Sequence, residues 1–93
     1  MEPNAAIREN AARGRFELDV DGQVVFALVR RHGATLVIDH VEAPPALRGT
    51  GAAGRLMQGL MGVARREGAK VLPRCGYAAW WIRSHAEHRD LLA

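Results

Sequence analysis

Apolar and polar residues alternate most sharply between Arg15 and Val20, where Phe16, Leu18 and Val20 interleave with Glu17 and Asp19. A period of two places the apolar set on one face of a half-buried strand. Asp21-Gly22 follows, the pair preferred in a two-residue type I′ turn. Gln23 to Arg30 is then apolar on both faces, with Val24, Phe26 and Leu28 on one and Val25, Ala27 and Val29 on the other. That pattern predicts a central strand covered on both sides. The tight turn sets Val20 opposite Gln23 and Leu18 opposite Val25, which matches the apolar face of the first strand to one face of the second. A second turn at Arg31-His32-Gly33-Ala34 leads into Thr35 to Val41, a β-branched-rich third strand antiparallel to the second. The meander ends at Glu42, because Pro44-Pro45 cannot donate to a ladder. Residues 1–14 carry no sustained period and are expected to be a loosely held lead-in.

The period changes after Gly51. Ala53, Leu56, Met57, Leu60 and Ala64 recur at helical spacing to about Glu67, and Gly68 is a natural terminator. The methionine–leucine stripe is read as core. Gly59 and Gly62 each cost about 1 kcal/mol relative to alanine, so something is expected to pack closely there. Ala69 to Leu72 is a short strand stopped by Pro73, and a strand–helix–strand order implies a right-handed, parallel connection. Gly76 to His85 reads as a second helix and Arg89 to Leu92 as a closing turn. The fold class is therefore α/β (mixed α+β): a three-strand antiparallel meander, a helix, a parallel strand and a C-terminal helix, in one domain spanning 1–93.

Composition narrows the function classes. The apolar share of 48% is ordinary for a globular protein, and no apolar run approaches the roughly 18 residues of a membrane span. The opening MEPNAAIREN lacks the apolar core of a secretory leader, and a single cysteine fits a reducing cytoplasm. Eight of the thirteen basic residues lie after residue 45, and the net charge is +3. Such a half attracts anions, yet the absence of interleaved aromatic and basic residues argues against nucleic acid. Zinc-type spacing of Cys and His is also absent, so no metal is expected.

The richest stretch is HVEAPPALRGTGAA, from His40 to Ala53. A strand end, a glycine-bearing turn and a helix start present outward N–H groups under a favourable dipole, which is a ready anion site. Arg48 to Ala53 fits the hexapeptide Arg/Gln-x-x-Gly-x-Gly/Ala and resembles the acetyl-coenzyme A site of the GNAT superfamily of N-acetyltransferases. The wider chain resembles the compact, stand-alone GNAT-like family in its His40-x-x-x-Pro44 approach, Arg48-Gly49-x-Gly51 turn, Val71-x-Pro73-x-Cys75 strand end and His85-x-Glu87-x-x-Asp90-Leu91 close. The segments IREN and RFELDVDGQ add to the likeness. The chain departs from that family at Val41, Ala86 and His88, where threonine, proline and an aromatic are common.

The resemblance implies a GNAT-like fold and transfer of an acetyl group from acetyl-coenzyme A to an amine of a protein or small molecule. Gly49, Thr50, Gly51, Ala52 and Ala53, with Arg48, would cradle the diphosphate, and Val41, Glu42 and Ala43 would pair with the pantetheine arm. Cys75 stands between a strand stop and a helix start, beside Arg74. It is a transient acyl carrier, a wall beside the thioester, or a small buried core residue. His40 is the leading base for the amine proton, against a structural role, and Glu42 the weaker one; alternation puts both on one face of the third strand, opposite Asp39 and Val41. Tyr77 is a proton donor to the departing thiolate or a packing residue, and only one of Trp80 and Trp81 can face the core. His85, Glu87 and Asp90 are expected to fix the C-terminal corner. The competing reading is a coenzyme A-binding module without turnover, acting as a sensor or interaction partner. A monomer or weak dimer is expected in either case.

Overall fold

The computed structural model describes residues 7–93. Its strands are β1 (Ile7–Asn10), β2 (Arg15–Val20), β3 (Gln23–His32), β4 (Thr35–Glu42) and β5 (Lys70–Pro73). The helices are α1 (Ala52–Glu67) and α2 (Gly76–Ser84), with 3₁₀ turns at Ala11–Arg13, Pro45–Leu47 and Ala86–Leu91. The sheet runs in chain order, antiparallel through β4, with β5 parallel to β4. This is the expected mixed architecture with one strand more. Within the segment read as a loose lead-in, residues 7–10 pair with β2, Ile7 opposite Leu18 and Asn10 opposite Arg15. The remainder of that lead-in, residues 1–6, lies outside the described residues.

Polar contacts hold β1 where its short sequence shows no period. Glu17, only 3% exposed, accepts from Arg8 Nη2 at 2.5 Å, Arg15 Nε at 2.6 Å and Asn10 Nδ2 at 3.0 Å. A buried carboxylate needs such partners, and those of Arg15 and Asn10 hold its pKa below the usual range. Arg31 reaches Glu9 at 2.7 Å and Glu67 at 2.7 Å, tying β1 to the end of α1.

The hairpin between β2 and β3 has the expected register, Val20 opposite Gln23 and Leu18 opposite Val25. Asp21 and Gly22 both take positive φ, 51° and 76°, as a type I′ turn requires. One face of the sheet carries Phe16, Leu18, Val25, Ala27, Leu36 and Ile38, which form one cluster with Leu56, Met57, Leu60 and Met61 of α1 and Ala78, Trp81 and Ile82 of α2. The methionine–leucine stripe is core, as its spacing predicts. The close packing expected at Gly59 is there too, since a Cβ would lie 2.7 Å from Ile7 Cδ1. Gly68 ends α1 at φ 66° with its N–H on the Ala64 and Arg65 carbonyls.

Both helices pack on that face, so the expectation that β3 is covered on both sides needs correction. Leu28 is 37% exposed, and Val24 and Phe26 are half-buried. Arginine covers this second face instead of a layer of helices, with the Arg15 guanidinium 4.3 Å over the Phe26 ring.

Candidate functional site

The site begins at an irregularity in β4. Leu28 pairs with His40 and Val29 with Ile38, so Asp39 is an extra residue with no partner on β3. Such a bulge shifts the alternation of the strand. Val41 opposes Ala27 and packs against the core, whereas His40 opposes Leu28 and Glu42 opposes Phe26 on the helix-free face. His40 and Glu42 share a face, as expected, and hydrogen-bond at 2.8 Å, both about half exposed. Asp39 does not lie opposite them. Arg30, which is paired with Val37, holds its carboxylate at 2.6 and 2.9 Å and keeps its pKa below the ordinary value.

β5 leaves β4 at the same level. The Arg74 N–H to the Ile38 carbonyl at 2.9 Å is the last bond between the two segments. Beyond it the chains diverge into a fork, with Asp39 to Glu42 on one arm and Cys75 on the other. Cys75 is the N-cap of α2, in extended conformation and partly buried against the core.

The chain then turns through Pro44 and Pro45, anchors at Leu47, which is 5% exposed, and passes into Arg48. Gly49 and Gly51 take φ of 79° and 86°, which is why glycine stands at both. The Thr50 hydroxyl stitches the turn, donating to the Leu47 carbonyl at 2.5 Å and accepting the Ala52 N–H at 3.3 Å. Thr50 is thus a scaffold residue of the turn. The first bond of α1 runs from Arg55 N–H to the Gly51 carbonyl at 3.1 Å. The N–H groups of Ala53 and Gly54 therefore have no partner within the helix, and they stand at its positive end. Arg48 braces the strand end, its Nε donating to the Ala43 carbonyl at 3.2 Å.

A cleft of about 350 Å³ opens on this turn. Ala43, Arg48, Gly49, Gly51, Ala52 and Ala53 line it, and Tyr77 and Trp80 of α2 face them from the other side. A Cβ at Gly49 or Gly51 would meet nothing within 4 Å, so both glycines border open space. Burial raises the Tyr77 pKa, and the neighbouring Cys75 adds to it. Cys75 and His40 are not among the lining residues. The geometry decides between the tryptophans: Trp81 is 5% exposed in the core, and Trp80 is 59% exposed at the cleft. Gly54, inside α1, also lines it, and no motif marked that role.

The C-terminal corner differs in detail from the expected trio. The His85 ring stacks on Trp81 at 3.8 Å, and Asp90 pairs with Arg65 at 2.9 Å. Glu87 contributes its backbone carbonyl, which accepts from Arg65 at 2.8 Å. Among the described residues no three Cys, His, Asp or Glu side chains gather to hold a metal ion, and no helix is long and apolar enough to cross a membrane.

Comparison with known proteins adds a family and a fold. The profile of the GCN5-related N-acetyltransferases matches residues 15–91. No curated protein matches the chain. The solution structure of a GCN5-like candidate N-acetyltransferase from Staphylococcus aureus superposes with a TM-score of 0.69 at 18% identity, over 97% of this chain and 89% of that one.

Proposed function

This chain belongs to the GCN5-related N-acetyltransferase family, and on that footing we propose that it transfers an acetyl group from acetyl-coenzyme A to an amine. The carrying observation is one cleft in which free helix N-terminal amides, two positive-φ glycines and Arg48 meet the open end of β4. Unpaired amides and a guanidinium fit a diphosphate, and glycine lets the phosphates approach the backbone. Ala53, Gly54 and the Gly49–Gly51 turn hold the anion. The unpaired edge of β4 from Val41 to Ala43 receives the amide-bearing arm as an added strand.

Acetyl-coenzyme A supplies an activated thioester; the chain's own residues orient it and move protons. The fork leads the arm from the helix side of the sheet toward the helix-free side, where His40 and Glu42 lie. An amine arriving on that face loses its proton to His40, whose ring Glu42 orients at 2.8 Å. Acetyl-coenzyme A would supply the acyl carbon to that nitrogen and its thiolate as the leaving group. Tyr77, which lines the cleft and whose pKa burial raises, would be the proton donor to the departing thiolate. Cys75 on the opposite arm of the fork is a wall for the thioester or a transient acyl carrier.

The second reading, a coenzyme A-binding module without turnover, draws support from one fact: neither Cys75 nor His40 lines the cleft. Calorimetric titration with coenzyme A, together with labelled acetyl-coenzyme A and a panel of amines, separates the two. Wild type is expected to bind and transfer, Arg48→Glu to lose binding, and Cys75→Ala to lose transfer only if the acetyl group passes through the thiol. Binding without transfer to any amine favours the module. No binding by the wild type refutes both.

A further inference from the structure

Among the described residues Trp80 is the most exposed of the large apolar side chains, at 59%, against 40% for Leu72 and 37% for Leu28. This indole lines the cleft, where an amphipathic ring can pack on a ligand. The cleft is chemically two-ended. Arg48 and the Gly49–Gly51 turn make a polar end fit for phosphate, and Tyr77 and Trp80, with ring centroids 5.9 Å apart, make an aromatic wall.

Resting on the coenzyme A reading above, we propose that Trp80 is a specificity residue that packs on the branched pantoate segment of the cofactor. The argument is one of path. With the diphosphate on the glycine turn and the thioester at the fork, the arm must run past Ala43 and the first turns of α2. Cys75 and Tyr77 flank the fork end of α2, and Trp80 lies one turn further away from it. Trp80 therefore meets the part of the arm nearest the diphosphate. In coenzyme A that part is the gem-dimethyl carbon of pantoate, the bulkiest apolar group of the arm. Covering one indole face with it is worth about tenfold in affinity.

Tryptophan fluorescence and calorimetry test this with two probes, coenzyme A and adenosine 3′-phosphate 5′-diphosphate, which carries the nucleotide and both phosphates but no arm. Coenzyme A is expected to shift wild-type emission, and most of the shift is expected to be lost in Trp80→Phe, because Trp81 is only 5% exposed and does not line the cleft. Trp80→Ala should bind coenzyme A about tenfold more weakly and the arm-less nucleotide unchanged, with a wild-type melting curve as the control for folding. Trp80→Phe should keep most of the affinity. If Trp80→Ala weakens both probes equally, the indole stacks on the nucleotide and the assignment to pantoate is overturned. If it weakens neither, Trp80 has no part in binding although the coenzyme A reading stands. If the wild type binds neither probe, the coenzyme A reading itself fails and the assignment falls with it.

Discussion

Gly51→Ala tests the glycine turn where its backbone is most constrained. Gly51 is the N-cap of α1 at φ 86°, ψ 3°, and a methyl group there would touch nothing within 4 Å. The cost is therefore conformational, not steric crowding by neighbours. An L-residue in the left-handed region loses about 1–2 kcal/mol. Alanine recovers part of this by restricting the unfolded chain, an effect of about 0.4–1 kcal/mol. The net loss is about 1 kcal/mol, which lowers Tm by about 4–8 °C in a chain of this size. Asparagine tolerates positive φ better, so Gly51→Asn should regain at least half of the loss. Calorimetric melting of the three proteins gives the comparison. Coenzyme A titration well below Tm should show a further loss in Gly51→Ala, because its methyl stands at the cleft. Equal melting temperatures in all three would refute the left-handed turn, and with it the reason for reading an anion cradle there.

Gly59→Ala should destabilise despite gaining about 1 kcal/mol of helix propensity. The new Cβ would lie 2.7 Å and 2.8 Å from Ile7 carbons, and overpacking of that kind costs about 1–3 kcal/mol. Ile7→Ala in the same chain should relieve the loss, as a urea double-mutant cycle would reveal. The adjacent tryptophans should behave oppositely. Trp81→Ala should cost about 3–5 kcal/mol from the core, and Trp80→Ala should stay within about 0.5 kcal/mol at the surface. Acid should act in two stages. Burial depresses the pKa of His88, which Arg65, Glu87, His85 and Asp90 also face. The Arg65 guanidinium only donates, so His88 Nδ1 must accept at 3.3 Å, and Nε2 donates to Gln58 Oε1 at 3.2 Å. The fold thus favours neutral imidazole, and this stability is full above about pH 6.5 and drains as pH falls toward the depressed value. Glu17, Asp39, Glu67 and Asp90 are also depressed, and their contribution is lost below about pH 4.5. Melting curves across pH should show both stages, and His88→Gln should abolish only the upper one.

Several features were legible along the chain because their causes are local. Asp21-Gly22 dictated a type I′ turn, and that turn fixed the register of Leu18 against Val25. The spacing of Leu56, Met57, Leu60 and Ala64 set one face of α1, and Gly68 ended it. Arg48 to Ala53 announced a glycine turn at a helix start, because the backbone conformation required there admits few other residues.

Other features depended on contacts far apart in sequence. β1 is four residues long and shows no period of its own. It is a strand because Arg8 and Asn10 reach Glu17, and because Ile7 meets Gly59. The apolar pattern of β3 could not say what covers its second face. Periodicity records which side of an element a residue occupies, not what lies against that side. The extra residue at Asp39 reverses the alternation of β4 midway, and only pairing with β3 reveals it. Two neighbouring tryptophans on one helix look alike in sequence, yet Trp81 fills the core and Trp80 faces the cleft. The chain by itself determined the glycine turn at the start of α1. Tertiary structure decided that Tyr77 and Trp80, rather than Cys75 and His40, complete the cleft around it, because only the packing of α2 against α1 sets which side chains cross that gap.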